Sequence, residues 1–227
     1  MQSAEGKLYR ADVTGFRPGD APLTASTLPS EDIGTFVRDY KFKDDTEQSN
    51  LYNLTFGPKG DLYIADAAAN AIIRRDQSGA LSVFATVRGI KNPTPVGPPN
   101  IQAVPTGIVF DGRNFLVTTF LGFPFPPNKA LVYQFDSKGN GSIYQEGFSS
   151  LIDIELGPDH RPVVLEFGQW NGQGFAAASG VAARATGEKR LVLVGGLKLP
   201  TDIVRGGLKT YYVSSLAEGT VQKVTYP

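Results

Sequence analysis

Short runs in which apolar and polar residues alternate recur along the chain and predict β-strands. In the segment LIDIELGPD, residues 151–159, apolar side chains alternate with Asp153 and Glu155, as expected for a strand with one apolar and one polar face. The runs are rich in Val, Ile, Tyr, Phe and Thr and end at Gly, Pro, Asp or Asn. Amphipathic helical patterns are almost absent, so the sequence predicts an all-β fold.

A strand–turn–strand unit repeats four times along the chain. Its copies are LYNLTFGPKGDLYIADA, PTGIVFDGRNFLVTTF, LIDIELGPDHRPVVLEF and PTDIVRGGLKTYYVSSL, which start at Leu51, Pro105, Leu151 and Pro200. A third strand usually follows each hairpin, and a fourth follows in the first three units. The step between copies is about 50 residues, which is typical of the four-stranded blades of a β-propeller. A β-sandwich is the alternative, and it explains the strands but not the regular step.

The 227 residues are predicted to form a single propeller domain. At about 50 residues a blade, this length corresponds to between four and five blades, and we expect about five. Residues 1–48 hold one strand-like segment, GKLYRADV, and an irregular stretch, which together suggest a partial blade. Two interpretations stay open. The N-terminal strands complete the last blade of a five-bladed ring, or the chain is an N-terminally shortened six-bladed propeller whose open edges need a partner.

Composition excludes several classes of partner and site. Lys and Arg number 22 and Asp and Glu number 22, so no net charge attracts nucleic acid, and no apolar run is long enough to insert into a membrane. Cysteine is absent, which excludes disulfides and thiolate chemistry and leaves the compartment open. The start, MQSAEGKLYR, looks like a methionine in front of a processed terminus and favours export.

Several segments resemble a known family of propellers. These are SNLYNLTFGPKGDLYIADAAANAIIRRD, VPTGIVF, LGFPFPPNKALVYQF and EGFSSLIDIELGPD, of which the GFPFP loop is the most specific. They are similar to the secreted six-bladed propellers of the ScyD/ScyE family, which are related in fold to NHL and SMP-30 propellers. The resemblance runs from Ser49 to the C-terminus and implies an extracellular or periplasmic protein. The chain departs from the family ahead of this region, where family members carry more than one further blade.

In a propeller, residues at the start of each first strand and at the end of each second strand share one rim of the central channel. The first set is Asn53, Gly107, Asp153 and Asp202, and the second set is Asp66, Thr119, Glu166 and Ser214. Most of these side chains offer an oxygen, and a ring of oxygen ligands suits Ca²⁺. In SMP-30-like propellers, Asn, Asp and Glu at such positions hold a divalent metal on the channel axis. The resemblance therefore implies a calcium site with the ligands Asn53, Asp153, Asp202 and Glu166.

A purely structural interpretation of the same residues stays open. Propeller channels are wet, so Asp153 and Asp202 can be hydrated without a metal. Asp66 and Glu166 can instead cap loops or pair with basic side chains.

Two loops on the same rim carry aromatic residues. Residues 121–129, LGFPFPPNK, hold Phe123 and Phe125 between prolines that stiffen the backbone, and residues 167–180 hold Trp170, the only tryptophan. Rings on stiff loops around a polar mouth are typical of ligand pockets and protein contacts. The predicted ligand or partner face consists of Phe123, Phe125, Trp170, Asp66 and Thr119. The alternative is that the rings only cover the blade ends.

Catalytic motifs are sparse. His160 is the sole histidine and lies in a turn at the opposite rim, so a Ser–His–Asp triad is not expected. The first hypothesis is a secreted, non-catalytic propeller that binds a protein or small ligand on its loop face, with Ca²⁺ at the channel mouth. One alternative is a metal-dependent, lactonase-like or esterase-like hydrolase with Asp153, Asp202 or Glu166 as the base. Another is a self-assembling subunit whose open blade edges are completed by a second copy.

Overall fold

A computed structural model describes residues 6–42 and 48–225 and confirms an all-β propeller. Its first two blades are antiparallel four-stranded sheets. Blade I contains β3 (Leu51–Phe56), β4 (Leu62–Asp66), β5 (Ala71–Arg75) and β6 (Leu81–Thr86). Blade II contains β9 (Pro105–Phe110), β10 (Phe115–Thr119), β11 (Ala130–Phe135) and β12 (Gly141–Phe148). Between them lies a proline-rich insert, residues 87–103. Within it, β7 (Ile90–Lys91) and β8 (Asn100–Ile101) form a small hairpin.

The other two blades follow the same order of strands. Blade III contains β13 (Leu151–Leu156), β14 (Pro162–Glu166), β15 (Gly180–Ala185) and β16 (Arg190–Leu197). Blade IV has three strands, β17 (Pro200–Arg205), β18 (Thr210–Ser215) and β19 (Thr220–Thr225). The innermost strands of the four blades therefore begin at the first residues of the four sequence repeats.

A β-bulge near the start of the inner strand recurs in all four blades, including blade II, where Pro105 pairs with Thr119 and Ile108 pairs with Val117. In blade III, Leu151 pairs with Glu166 and Asp153 pairs with Leu165, so one residue is left over between the two pairs. The same shift occurs between Leu51 and Asn53 in blade I and between Pro200 and Asp202 in blade IV. Because a bulge re-aims the side chains beside it, the three polar residues Asn53, Asp153 and Asp202 share one local geometry.

Apolar faces of neighbouring blades pack on each other and form the core. Tyr63 of blade I and Phe115 of blade II have ring centroids 4.1 Å apart. A second cluster joins blade II to blade III around Leu116 and Val164, and a third joins blade III to blade IV. Burial of aromatic and β-branched side chains between the sheets is the main favourable contribution to this arrangement.

The N-terminal segment packs on the free face of blade I. Its strands β1 (Lys7–Tyr9) and β2 (Ser30–Asp32) pair with each other, and helix α1 (Gly34–Asp39) follows. Val37 and its neighbour Ile33 contact Ile64 and Ile73 of blade I. Among the described residues no strand other than β18 pairs with β19, so the N-terminal strands do not complete blade IV, and four blades are present where about five were expected. In residues 6–42 and 48–225, no helix is long and apolar enough to cross a membrane.

Candidate functional site

Asp153 ties together the inner strands of three blades. Its Oδ1 accepts a hydrogen bond of 2.8 Å from Nδ2 of Asn53 in blade I. Its Oδ2 accepts one of 2.9 Å from the backbone N–H of Ile203 in blade IV. The residue is only 3 % exposed, so these partners replace the water that would otherwise solvate the carboxylate. Asp153 is therefore buried between the blades, and its predicted place at the channel mouth stays a prediction.

The amide orientation of Asn53 follows from a second contact. The backbone N–H of Leu54 donates to Oδ1 of Asn53 at 2.6 Å. Because Oδ1 accepts there, the Nδ2 group is the one that faces Asp153. Asn53 therefore acts as a hydrogen-bond donor toward the channel carboxylate.

The surroundings of Asp153 disfavour negative charge. Burial raises the pKa of Asp153 to about 7, the Ile203 N–H opposes this rise, and the nearby carboxylate of Asp202 adds to it. Burial also raises the pKa of Tyr52 to about 12, with Asp153 and Asp202 contributing. Asp202 itself is exposed. Asp153 and Asp202 thus form a pair of neighbouring carboxyl groups, of which Asp153 is buried and Asp202 is exposed.

The hydrogen bonds of the predicted metal ligands do not fit a bound cation. Asn53 turns a donor rather than its oxygen toward Asp153, and both oxygens of Asp153 already accept hydrogen bonds. Glu166 contacts Arg190 at 2.5 Å and the Ser149 N–H at 3.1 Å. Among the described residues, no group of three or more His, Cys, Asp or Glu could hold a metal ion. Calcium binding stays a prediction.

Residues at the ends of the second strands hold loops in place. Asp66 is fully buried and accepts hydrogen bonds from Ser49 Oγ at 2.6 Å and from the N–H groups of Asn50 and Ala69. Such a carboxylate caps the turn that follows its strand. Thr119, also buried, exchanges hydrogen bonds with the backbone of the neighbouring strand through its Oγ1.

The strand pairing in blade IV corrects one of the residues predicted at the ends of the second strands. Pro200 pairs with Ser215, just as Leu51 pairs with Asp66. Ser215 is therefore equivalent to Asp66, and the assignment of Ser214 to this position was wrong by one residue. Blades I and IV carry the same bulge, and Ser215 lies 15 residues after Pro200 just as Asp66 lies 15 residues after Leu51, so the spacing along the repeat identifies Ser215.

An aromatic cluster lies on the loops that follow β10 and β14. We use this name for the six rings of Phe120, Phe123, Phe125, Phe167, Trp170 and Phe175. Phe125 lies 5.2 Å from Trp170 and 5.4 Å from Phe175, measured between ring centroids. Phe123 stands at the edge of the cluster and is 47 % exposed. The predicted rings Phe123, Phe125 and Trp170 are thus brought together.

Three members of the cluster were missed in the sequence. Phe120 and Phe167 come directly after the second strands of their blades, and Phe175 pairs with Trp170 through an isolated β-bridge. Their position after a strand that ends at the rim is the signal that identifies Phe120 and Phe167. No sequence pattern identifies Phe175, because its approach depends on how the loop folds back.

The proline-rich insert supports one side of the cluster. The N–H of Leu121 donates to the carbonyl of Ala103 at 3.0 Å, and the N–H of Gly122 donates to that of Gln102 at 3.0 Å. A Cβ atom on Gly97 would lie 3.2 Å from the ring of Phe123, so the insert also contacts the exposed ring. Residues 87–103 therefore contact the loop of residues 121–129.

Comparison with known proteins gives matches among solved structures alone, since no family model and no curated protein matches the chain. A gluconolactonase from Xanthomonas campestris matches with a TM-score of 0.56 and 11 % identity over 80 % of this chain and 63 % of its own. The PQQ-bound aldose sugar dehydrogenase of Streptomyces coelicolor matches with a TM-score of 0.55 and 14 % identity, over 78 % of this chain and 59 % of its own. An inactive virginiamycin B lyase from Staphylococcus aureus, solved with quinupristin, matches with a TM-score of 0.50 and 16 % identity, over 88 % of this chain and 60 % of its own.

These likenesses concern the fold. The chain spans about three fifths of the length of the structures it matches. Their identities are low, and their named activities differ from one another, as is common for propellers. The chain accordingly shares the β-propeller fold of SMP-30/gluconolactonase-like and virginiamycin B lyase proteins.

Proposed function

We propose that this protein is a non-catalytic β-propeller that binds a protein or a small ligand through the aromatic cluster. The observation that carries the proposal is the contact of six rings on the loops of two neighbouring blades, with Phe123 presented to solvent. Aromatic rings on supported loops offer a large contact area at a low cost in side-chain entropy.

The state of the carboxyl groups favours binding over catalysis. Both oxygens of Asp153 accept hydrogen bonds from other blades, and Glu166 is paired with Arg190. A general base must be able to reach a substrate proton, and these two groups are buried and engaged in packing. Asp202 is exposed, so it is the one of the three predicted bases that is open to a substrate.

A lactonase-like or esterase-like hydrolase is the second candidate. Two observations favour it, namely the pKa of about 7 for Asp153 beside Asp202 and the shared fold with a gluconolactonase. In that case Asp202, the exposed carboxylate, would act as the general base that activates a water molecule for attack on the ester carbonyl.

The proposal includes membership of the ScyD/ScyE family and an extracellular or periplasmic location. Both are supported by the resemblance of the GFPFP loop and the strand repeats to that family. Neither is needed for the binding role of the aromatic cluster.

Trp170 provides a direct test of binding. It is the only tryptophan and lies inside the cluster, so intrinsic fluorescence reports on this face alone. The protein is titrated with a panel of oligosaccharides, proline-rich peptides and small aromatic compounds, and we expect saturable fluorescence changes with one class. Phe123→Ala should then weaken that binding about tenfold or more, which corresponds to about 1.4 kcal/mol.

The matched control is Phe16→Ala. Phe16 is 44 % exposed, close to the 47 % of Phe123, but it lies in the N-terminal stretch away from the cluster. Binding should be unchanged in this variant. A panel without any saturable change, or a ligand bound equally well by Phe123→Ala, would contradict a binding role for the aromatic cluster.

A further inference from the structure

The inner strand of blade I exposes one side chain, Leu54, whose equivalents are buried in every other blade. Leu54 pairs with Ile64, and the equivalent positions in blades II, III and IV are Ile108, Ile154 and Ile203. Those three isoleucines are 1 %, 3 % and 3 % exposed and pack against the preceding blade. Leu54 is 43 % exposed, and its neighbour on the same face, Phe56, is 69 % exposed. In this fold, that position normally receives the face of a preceding blade.

The N-terminal segment covers only part of this face. Ile33 and Val37 lie over Ile64 and Ile73, farther out in the blade. Next to the inner strand, a groove of about 800 Å³ remains between the N-terminal hairpin and blade I, lined in part by Leu8, Leu54 and Phe56. The groove leaves room for apolar side chains from outside the molecule.

Blade IV leaves uncovered the face that points away from blade III. In blade III, Val163 and Leu165 are fully buried against blade IV. The positions equivalent to them in blade IV are Tyr212 and Ser214, and the same face also carries Val204 and Val221. Val204, Tyr212 and Val221 are exposed, Val221 to 70 %. Blade IV therefore presents the kind of surface that a following blade covers.

We propose that blade IV of one chain packs on the inner strand of blade I of a second copy, so that Val204, Tyr212 and Val221 contact Leu54 and Phe56. Consecutive blades in this molecule make the same type of contact, apolar face to apolar face. Both uncovered faces belong to the same chain. The face of blade I lacks a preceding blade, and the face of blade IV lacks a following blade.

The exposed area agrees with such a contact. The accessible surface of the chain is 12589 Å², whereas a compact monomer of 24.3 kDa exposes about 10,000 Å². A stable interface buries about 800 Å² on each partner, so two contacts per chain would remove about 1,600 Å². Part of the excess belongs to the exposed residues 10–27.

The contact is head-to-tail, because it joins two different faces. Sedimentation equilibrium and light scattering of the 227-residue chain at 1–200 µM should therefore give a mass that rises with concentration to at least twice 24.3 kDa. Phe56→Asp and Val221→Asp each place a charge on one of the faces. Since both side chains are mostly exposed, the variants should fold, and each alone should remain monomeric.

Mixing the two variants gives the decisive result. Phe56→Asp keeps the blade IV face, and Val221→Asp keeps the blade I face, so an equimolar mixture should form a one-to-one pair and stop there. Phe16→Asp, which changes a similarly exposed ring outside both faces, should associate like the unchanged chain. A chain that stays monomeric at 200 µM, or variants that remain monomeric when mixed although the unchanged chain associates, would overturn the proposal.

Discussion

The carboxyl group of Asp153 is subject to two opposing influences. Hydrogen bonds from Asn53 and from the Ile203 N–H favour its charged form, and burial favours its neutral form. Burial is the larger effect, which is why the pKa rises to about 7. Asp153 thus joins three blades at a cost in free energy that depends on pH.

The stability of the protein should therefore fall as pH rises through the acidic range. The pKa of Asp153 is about 7 in the folded protein, whereas an aspartate side chain in water has its ordinary pKa of 3.8. Between these values the folded state holds a proton that the unfolded state has lost. In Asp153→Asn this dependence disappears. The unfolding free energy of the unchanged chain relative to the variant should drop between pH 4 and pH 7, by an amount on the order of a few kcal/mol. Denaturant unfolding at several pH values measures it, and a difference independent of pH would contradict the burial effect.

Calcium is tested at the same residues. Because Asn53 and Asp153 already satisfy each other, we expect no change when chelator-treated protein is heated with millimolar Ca²⁺. A cation bound at 100 times its Kd would stabilise the fold by about 2.7 kcal/mol and raise the Tm by several degrees. A rise of that size that vanishes in Asp202→Asn would instead establish the predicted ring of ligands.

At the scale of strands and loops, buried polar side chains fix the blade ends. Glu166 ends β14, accepts from the Ser149 N–H in the turn before β13, and pairs with Arg190 at the start of β16. Two strands of blade III and the turn that enters the blade thus meet at one side chain. Removing one partner of such a hydrogen-bonded ion pair lowers the stability, because the charge of the other partner is then unpaired.

Glu166→Gln should accordingly lower the stability by about 1–3 kcal/mol, or roughly 2–4 °C in Tm per kcal/mol for a chain of this size. Glutamine can still accept from the Ser149 N–H but no longer neutralises Arg190. Glu188→Gln, an exposed position in the turn before β16, is the matched control and should change the Tm by less than about 1 °C. Equal, small effects of the two changes would show that Glu166 does not hold the blade end.

For the whole molecule, the regular repeat of strand hairpins was sufficient to predict the propeller. Leu51, Pro105, Leu151 and Pro200 each begin an inner strand. The packing of α1 on blade I could not be predicted, because a short helix of six residues has little periodicity of its own.

The site was predictable only in outline. The alternation of residues placed Asp153 in the channel but carried no information on hydrogen bonds between distant strands, such as that with Asn53. Phe123, Phe125 and Trp170 stood out by composition and loop position, whereas the return of Phe175 onto them depends on the folded loop.

The claim that function lies in binding at the aromatic cluster rather than in chemistry at the channel is tested most directly by a turnover assay. The protein, with millimolar Ca²⁺ or after chelation, is supplied with a panel of lactones and activated esters, in parallel with Asp202→Asn. We expect hydrolysis at the background rate in all samples, because Asp153 and Glu166 are engaged in packing. Saturable hydrolysis by the unchanged chain that is lost in Asp202→Asn would contradict the account and assign the channel mouth as a hydrolase site.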